Sequence, residues 1–396
     1  MSALSPALPV APVHGPTPIR VMVVDDAVVV RSLVARWISE APDMEIVGAL
    51  RNGREAVNEI DRISPNVVVL DIDMPELDGI TTLPLLLEKK RDLVVIMAST
   101  LTRHNAEISL KALSLGAADY IPKPDTEGGI MTSASFQREL LEKIRGLGVR
   151  RHSRLQPAAH SPEIAPAARV DTANGTSKSS KPRSAINGRE PMHATLRPFS
   201  TVTPRVLLIG ASTGGPQALM AVLPKLQAVS ENAPVLITQH MPPTFTIILA
   251  EHLARACGRP VHEAVNGEPV LNGAIYLAPG GRHMRVVRRG GAAVIVLDDG
   301  PPINFCKPAV DPLFASAAET WGAWNLAIVL TGMGSDGTRG AAQIVAAGGN
   351  VIAQDEETSV IWGMPGAVFE AGLCSALLPI DQIAPATVRL FQGGRP

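Results

Sequence analysis

Short, unbroken runs of Val, Ile and Leu, each followed by an amphipathic stretch of helical length, constrain this 396-residue chain more than any other feature. In the first part the runs are IRVMVV (19–24), MEIVGAL (44–50), NVVVL (66–70), LVVIMA (93–98) and ADYIP (118–122). A strand that is apolar at every position is buried on both faces, which demands a parallel sheet covered by helices. Five such strands alternating with five helices, the last being SASFQRELLEKIRGL (133–147), predict a doubly wound, flavodoxin-like α/β domain over 19–147. The pattern resumes at RVLLIG (205–210), PVLITQ (234–239), AIYLAP (274–279), RVVRRGGAAVIVL (285–297), NLAIVL (325–330), GNVIAQ (349–354) and CSALLP (374–379). With helical stretches at 216–228, 244–256, 310–321 and 337–347, it predicts a second, mostly parallel α/β domain over 204–396. Gly290 and Gly291 mark a hairpin in it.

Between the two domains, residues 148–203 carry no periodic apolar face and are rich in Pro, Ser, Ala and Arg, so they read as a flexible linker. Within 150–203 there are nine Lys/Arg and three Asp/Glu, making that stretch basic. Residues 1–18 are interrupted by five prolines and lack a basic n-region, which predicts a disordered tail and no secretory signal. No run approaches the ~18 apolar residues of a membrane helix, so an integral membrane protein is not expected. The formal net charge is −1 and only 3% of residues are aromatic, which argues against nucleic acid as a partner. Cys257, Cys306 and Cys374 are far apart without CxxC spacing, and read as free thiols in a reducing cytoplasm.

In the first domain Asp25 and Asp26 end the first strand, Asp71 the third, and Lys123 follows the fifth. Strand ends of an open parallel sheet converge on one crevice. Carboxylates gathered there repel one another unless a cation joins them, and oxygen donors suit Mg²⁺. Ser99 and Lys123 are placed to hold phosphoryl oxygens. VMVVDD, DIDMPELDG (71–79), MAST (97–100) and KP (123–124), in that order, resemble the receiver domain of bacterial response regulators. The resemblance implies that Asp71 accepts a phosphoryl group. It further implies that Asp26, Asp71 and the backbone carbonyl of Asp73 hold Mg²⁺ with Asp25 assisting through water, that Ser99 and Tyr120 are switch positions, and that the Lys123–Pro124 bond is cis. Pro122, directly before Lys123, departs from the family pattern by removing a backbone donor.

In the second domain RVLLIGASTGGP (205–216) sets Ser212 in a G-x-S-x-G turn between a buried strand and a helix, the spacing that presents a nucleophilic hydroxyl. The same glycines are able to cradle a phosphate, although neither dinucleotide nor P-loop spacing is present. A serine needs a base. Of the four histidines in this half, His252 and His262 read as surface or packing residues. His240, at the end of PVLITQ, is the best base, with His283 in APGGRHM (278–284) in reserve. Asp336, in the glycine-rich turn of NLAIVLTGMGSDGTRG (325–340), is placed to orient it. IGASTGGP, ITQHMPP, YLAPGGRHM, KPAVDPLF (307–314), LTGMGSDG and WGMPGAV (362–368) together resemble the catalytic domain of the chemotaxis protein-glutamate methylesterase (CheB) family. The resemblance implies a Ser212, His240, Asp336 triad without cofactor. It further implies hydrolysis of glutamate methyl esters, and deamidation of glutamines, on the cytoplasmic part of chemoreceptors, with the receiver expected to occlude the esterase until the chemotaxis histidine kinase phosphorylates Asp71. Backbone N–H groups near Thr213 and Met333 are the candidate oxyanion donors. Cys306, just before KPAVDPLF, replaces a more usual polar or basic residue. Two other outputs compete: a receiver-controlled transcription factor, which needs a compact basic helix-turn-helix that this half does not offer, and a non-catalytic receptor-binding scaffold.

Overall fold

The structure, a computed structural model, describes residues 17–123, 134–155 and 195–395. The N-terminal domain is built from β1 (Ile19–Val24), α1 (Val28–Glu40), β2 (Met44–Leu50), α2 (Gly53–Ile63), β3 (Val67–Asp71), α3 (Gly79–Lys89), β4 (Val94–Ser99), α4 (Arg103–Ser114), β5 (Asp119–Pro122) and α5 (Ala134–Leu155). All its strands are parallel, in the order β2-β1-β3-β4-β5. The fully buried β3 lies at the centre, as its unbroken apolar sequence requires. Order 2-1-3-4-5 reverses between β1 and β3, and the carboxyl ends of those strands frame the crevice where ligands of such sheets bind.

The C-terminal domain follows with β6 (Val206–Ala211), α6 (Gly215–Val222), α7 (Gln227–Ser230), β7 (Val235–Gln239), α8 (Phe245–Cys257), β8 (Val261–Glu263), β9 (Ile275–Leu277), β10 (His283–Arg289), β11 (Ala292–Asp298), α9 (Val310–Trp321), β12 (Asn325–Val329), α10 (Thr338–Ala346), β13 (Asn350–Gln354), α11 (Met364–Glu370), β14 (Ala376–Leu378) and α12 (Ile380–Phe391). Seven of these strands form one wholly parallel sheet, β14-β13-β12-β6-β7-β9-β8. β10 and β11 form the separate antiparallel hairpin, turned by Gly290 and Gly291 at φ of 56° and 88°.

Two boundaries differ from the sequence expectation. The linker was expected from Gly148, but α5 continues to Leu155. Gly148, where the linker is expected to begin, is instead a close-packing point within the helix: a Cβ on it would lie 2.8 Å from Ile19, as one on Gly146 would from Ile361. At the far side, residues 195–203 are tied to the second domain before β6 begins. The Arg197 N–H donates to Cys374 O at 2.8 Å, the Ser200 N–H to Asn350 Oδ1 at 2.8 Å, and Phe199 packs on the core. The expected tail, Pro124 with its bond to Lys123, and most of the basic linker lie outside the described residues.

The two domains meet. The Tyr120 and Phe245 rings stack with centroids 4.7 Å apart and planes 7° apart, joining β5 of the first to α8 of the second. Arg103 on α4 pairs with Glu251 on α8 at 2.7 Å, and the Arg138 guanidinium of α5 covers the Phe305 ring at 3.5 Å. Buried apolar side chains from both domains join in one continuous core.

Candidate active site

Two groups of polar side chains gather at the strand ends. In the first domain Lys123 Nζ lies 2.7 Å from Asp25 Oδ2 and 2.6 Å from Asp71 Oδ1, with all three side chains nearly buried. Burial, and Asp25 beside it, push the Asp71 carboxyl up to about 6 even though Lys123 pulls it down. Burial lowers the Lys123 ammonium, but Asp71 and Asp25 outweigh it and hold it above its usual range. Asp25, Asp26 and Asp71 each bring one carboxylate oxygen within 4.8 Å of the others, an all-oxygen donor set that fits a hard divalent cation. The Asp73 carboxylate lies apart from this set, accepting from Asn105 Nδ2 at 2.7 Å. Ser99 Oγ is turned toward α4, where it accepts from Ser109 Oγ at 3.0 Å. Tyr120 is buried against Phe245.

In the second domain β6 ends at Ala211, and the chain turns sharply through Ser212. The Gly215 N–H donates to Ser212 O at 2.7 Å, and Gly214 adopts φ of +75°. Only glycine suits Gly214, since a Cβ there would also lie 2.5 Å from Val360. The Ser212 N–H donates to Thr331 O at 3.0 Å, and Gln239 Nε2 donates to Ser212 O at 2.9 Å, so both neighbouring strands fix the turn. From β7, His240 brings Nε2 to 2.7 Å from Asp336 Oδ2. Asp336 follows β12 and also accepts from the N–H groups of Val310 (2.6 Å), Asp311 (3.1 Å) and Gly337 (2.8 Å). Two of these donors open α9, whose N-terminus favours negative charge. Burial raises the Asp336 carboxyl, but His240 and those N–H groups outweigh it and hold it below the usual range. Burial likewise lowers the His240 imidazole, yet Cys306 and Asp336 carry it up to about 10.

Ser212, Thr213, His240, Cys306 and Met333 all line one cavity of about 340 Å³ between the domains; its opposite wall includes Tyr120, Arg138 and Lys143 of the first domain. No hydrogen bond joins Ser212 Oγ to His240 in this closed arrangement. Among the described residues, the Thr213 and Met333 backbone N–H groups have no hydrogen-bond acceptor, which leaves them available to an oxyanion.

The other histidines lie elsewhere. His283 is buried with both ring nitrogens engaged, by the Ala309 N–H and Pro301 O, which takes it out of reserve as a base. His262 bonds Glu268, and His252 sits on α8 outside the cavity. Sequence reasoning missed Gln239 and the α9 donors to Asp336. KPAVDPLF held a signal for the latter, since Val310 and Asp311 supply the N–H groups.

A Ser, His, Asp arrangement beside unpaired N–H groups is chemistry for acyl transfer. The comparisons with known proteins bear on the same point. Residues 207–387 match the CheB methylesterase family model, and 21–134 the response regulator receiver domain model. Over 380 residues the chain is 60% identical to the protein-glutamate methylesterase/protein-glutamine glutaminase of group 2 operon of Bradyrhizobium diazoefficiens, covering 96% of this chain and 95% of that one. The chain belongs to the CheB methylesterase family. A Rhodopseudomonas palustris protein-glutamate methylesterase/protein-glutamine glutaminase is also 60% identical, over 96% of this chain and 95% of its own. Among solved structures, the Thermotoga maritima CheB methylesterase catalytic domain is 41% identical and covers 48% of this chain and 100% of its own, with a TM-score of 0.46. CheB family membership fits a receiver followed by a parallel α/β catalytic domain, which is the observed order. Among the described residues, no helix is long and apolar enough to cross a membrane.

Proposed function

We propose that this chain is a phosphorylation-activated serine hydrolase that demethylates glutamate methyl esters and deamidates glutamines on chemoreceptors. The observation that carries the reading is His240 held at 2.7 Å by a buried Asp336 in the same cavity as Ser212. Ser212 Oγ gives its proton to His240 and attacks the ester carbonyl carbon. The Thr213 and Met333 N–H groups hold the resulting oxyanion, His240 returns the proton to the departing methoxy oxygen, and methanol leaves. Water then cleaves the acyl-serine by the same route. A glutamine side chain follows the same path with ammonia as leaving group. Asp336 holds the imidazole in position and stabilises its charged form.

Regulation lies in the receiver, residues 19–147 with α5 running beyond them, and hydrolysis in residues 204–396. A kinase phosphorylates Asp71. Asp25, Asp26 and Asp71, with the Asp73 carbonyl, would hold a divalent cation such as Mg²⁺, which would supply charge neutralisation for an incoming phosphoryl group. That group competes for Lys123 and for the Ser99 hydroxyl. Ser99 then leaves Ser109 on α4, the helix whose Arg103 pairs with Glu251. Tyr120, stacked on Phe245, transmits the same change through β5. Loss of these contacts opens the cavity to a receptor helix. Such a protein works in the cytoplasm. An Ser212→Ala chain, mixed with methylated receptor membranes, should release no methanol while still taking up phosphate; continued release removes Ser212 as nucleophile.

A further inference from the structure

We propose that Gln239 is a positioning residue for ester hydrolysis: its side-chain amide aims the Thr213 N–H at the oxyanion and ties the turn of Ser212 to the main chain of His240. The inference rests on the Ser212, His240, Asp336 reading, and adds to it what holds the reacting groups in register.

Three observations carry it. Gln239 is the last residue of β7, only 2% exposed, and borders the same cavity as Ser212 and His240. Its Nε2 donates to Ser212 O at 2.9 Å and to His240 O at 3.3 Å, so one amide holds the main chains of both residues. Second, the donor end of that amide sets its orientation. Gln239 Oε1 is buried without a hydrogen-bond partner, and a Cβ on Gly215 would collide with it, so no donor draws the oxygen to its place. The reverse orientation would press Oε1 against two carbonyl oxygens, where only a donor fits. Third, the bonded oxygen belongs to the peptide unit that supplies a candidate oxyanion donor. Ser212 C=O and Thr213 N–H are the two ends of one planar peptide. Among the described residues only Lys307–Pro308 is cis, so this peptide is trans and its C=O and N–H point in opposite directions. Pinning Ser212 O therefore aims the Thr213 N–H. The Gly215 N–H donates to the same oxygen at 2.7 Å, and Thr331 Oγ1 donates to Thr213 O at 2.9 Å, which fixes the next peptide as well.

Donation to Ser212 O also polarises that peptide, and a polarised peptide is a stronger donor at its N–H. Negative charge gathers on the ester oxygen only as Ser212 attacks, so a donor aimed in advance acts on the transition state without reorganising. Gln239 works through Thr213 and His240 rather than on the ester itself. Removing its amide should therefore slow the chemical step and leave the docking of the receptor unchanged.

The test uses the full chain, with a saturating phosphodonor, on methylated receptor membranes. Gln239→Met and Gln239→Leu both remove the N–H donors but fill the space differently, so a loss they share follows the hydrogen bonds rather than the packing. Losing an oxyanion donor outright costs about a hundredfold or more in kcat; misaiming one should cost at least about tenfold, with KM for the membranes within about twofold of wild type. Phosphate uptake by Asp71 and the ratio of rates with and without phosphodonor should match wild type. A kcat within about twofold of wild type in either variant, or a KM that rises as much as kcat falls, overturns the proposal. Loss of the cooperative urea transition in both variants overturns it too, because the amide then supports the domain instead of aiming a donor. Ser212→Ala separates the two readings. If it is silent while Gln239→Met keeps the wild-type kcat, only the positioning role fails; if Ser212→Ala still releases methanol, the triad reading itself fails.

Discussion

Removing the guanidinium that α5 lays over Phe305 should raise the resting esterase rate without touching the activated one. The Arg138 to Phe305 contact, 3.5 Å from charge centre to ring centroid, exists only when the receiver sits on the catalytic domain. Phe305 is 75% exposed, so the contact belongs to the solvated class of cation–π pairs, worth about 0.5–1 kcal/mol. Losing that much from the closed state alone multiplies the open population by about two to five, since 1.4 kcal/mol is tenfold. Arg138→Ala should therefore release methanol about two- to fivefold faster without a phosphodonor, and at the wild-type rate with the donor saturating. Phe305→Ala should do the same. The double variant should add nothing to either single one, because both remove the same contact. High salt separates this latch from the exposed Arg103 to Glu251 pair, which screening weakens. An unchanged resting rate in both single variants, or a lowered activated rate, would refute a closed state held in part by this contact.

Three further outcomes follow from charge. Asp71→Asn should abolish the response to a phosphodonor. Asp71 is raised to about 6 in the fold, so it binds its proton more tightly folded than unfolded; its contribution to stability is present below about 4 and lost as pH rises through 6. Without divalent cation, the urea midpoint of Asp71→Asn should gain on wild type across that window, and a constant difference contradicts the burial argument. His240 is raised from 6.5 to about 10, so its stabilising contribution is complete below pH 6.5 and fades as pH climbs toward 10. The protonated ring cannot accept the serine proton, so the resting rate should climb with pH from 7 to 9; a flat profile counts against the charged closed state.

What was legible in the sequence was whatever depends on near neighbours. Valine and isoleucine runs located the strands to within a residue or two, because a strand buried on both faces admits little else. Ser212, His240 and Asp336 stood out because each follows such a run, and the carboxyl ends of parallel strands share one edge. The pair Gly290 and Gly291 announced its hairpin through backbone freedom alone. Gly148 misled for the same reason: a glycine chosen for close packing on Ile19 looks, in one dimension, like a helix stop. α12 escaped notice because Pro385 sits within it. Tyr120 against Phe245, and Arg138 against Phe305, join residues far apart in the chain, and no local period encodes such meetings.

Those long-range contacts also set the terms on which one phosphoryl group is able to govern a hydrolase. Moving a two-state equilibrium from 1:99 to 99:1 takes about 5.5 kcal/mol of differential binding. The stack of Tyr120 on Phe245 contributes about 0.5–1.5 kcal/mol beyond its buried area, and Arg138 on Phe305 about 0.5–1. Together they weight the closed state by about five- to seventyfold. Both contacts lie beside the apolar core that the two domains share, so a phosphoryl group on the receiver must outweigh them together with that burial. The receiver's β5 edge, where Tyr120 and Lys123 lie within four residues of each other, is therefore the place where one modification gains most. It joins the phosphoryl site directly to the surface that covers Ser212.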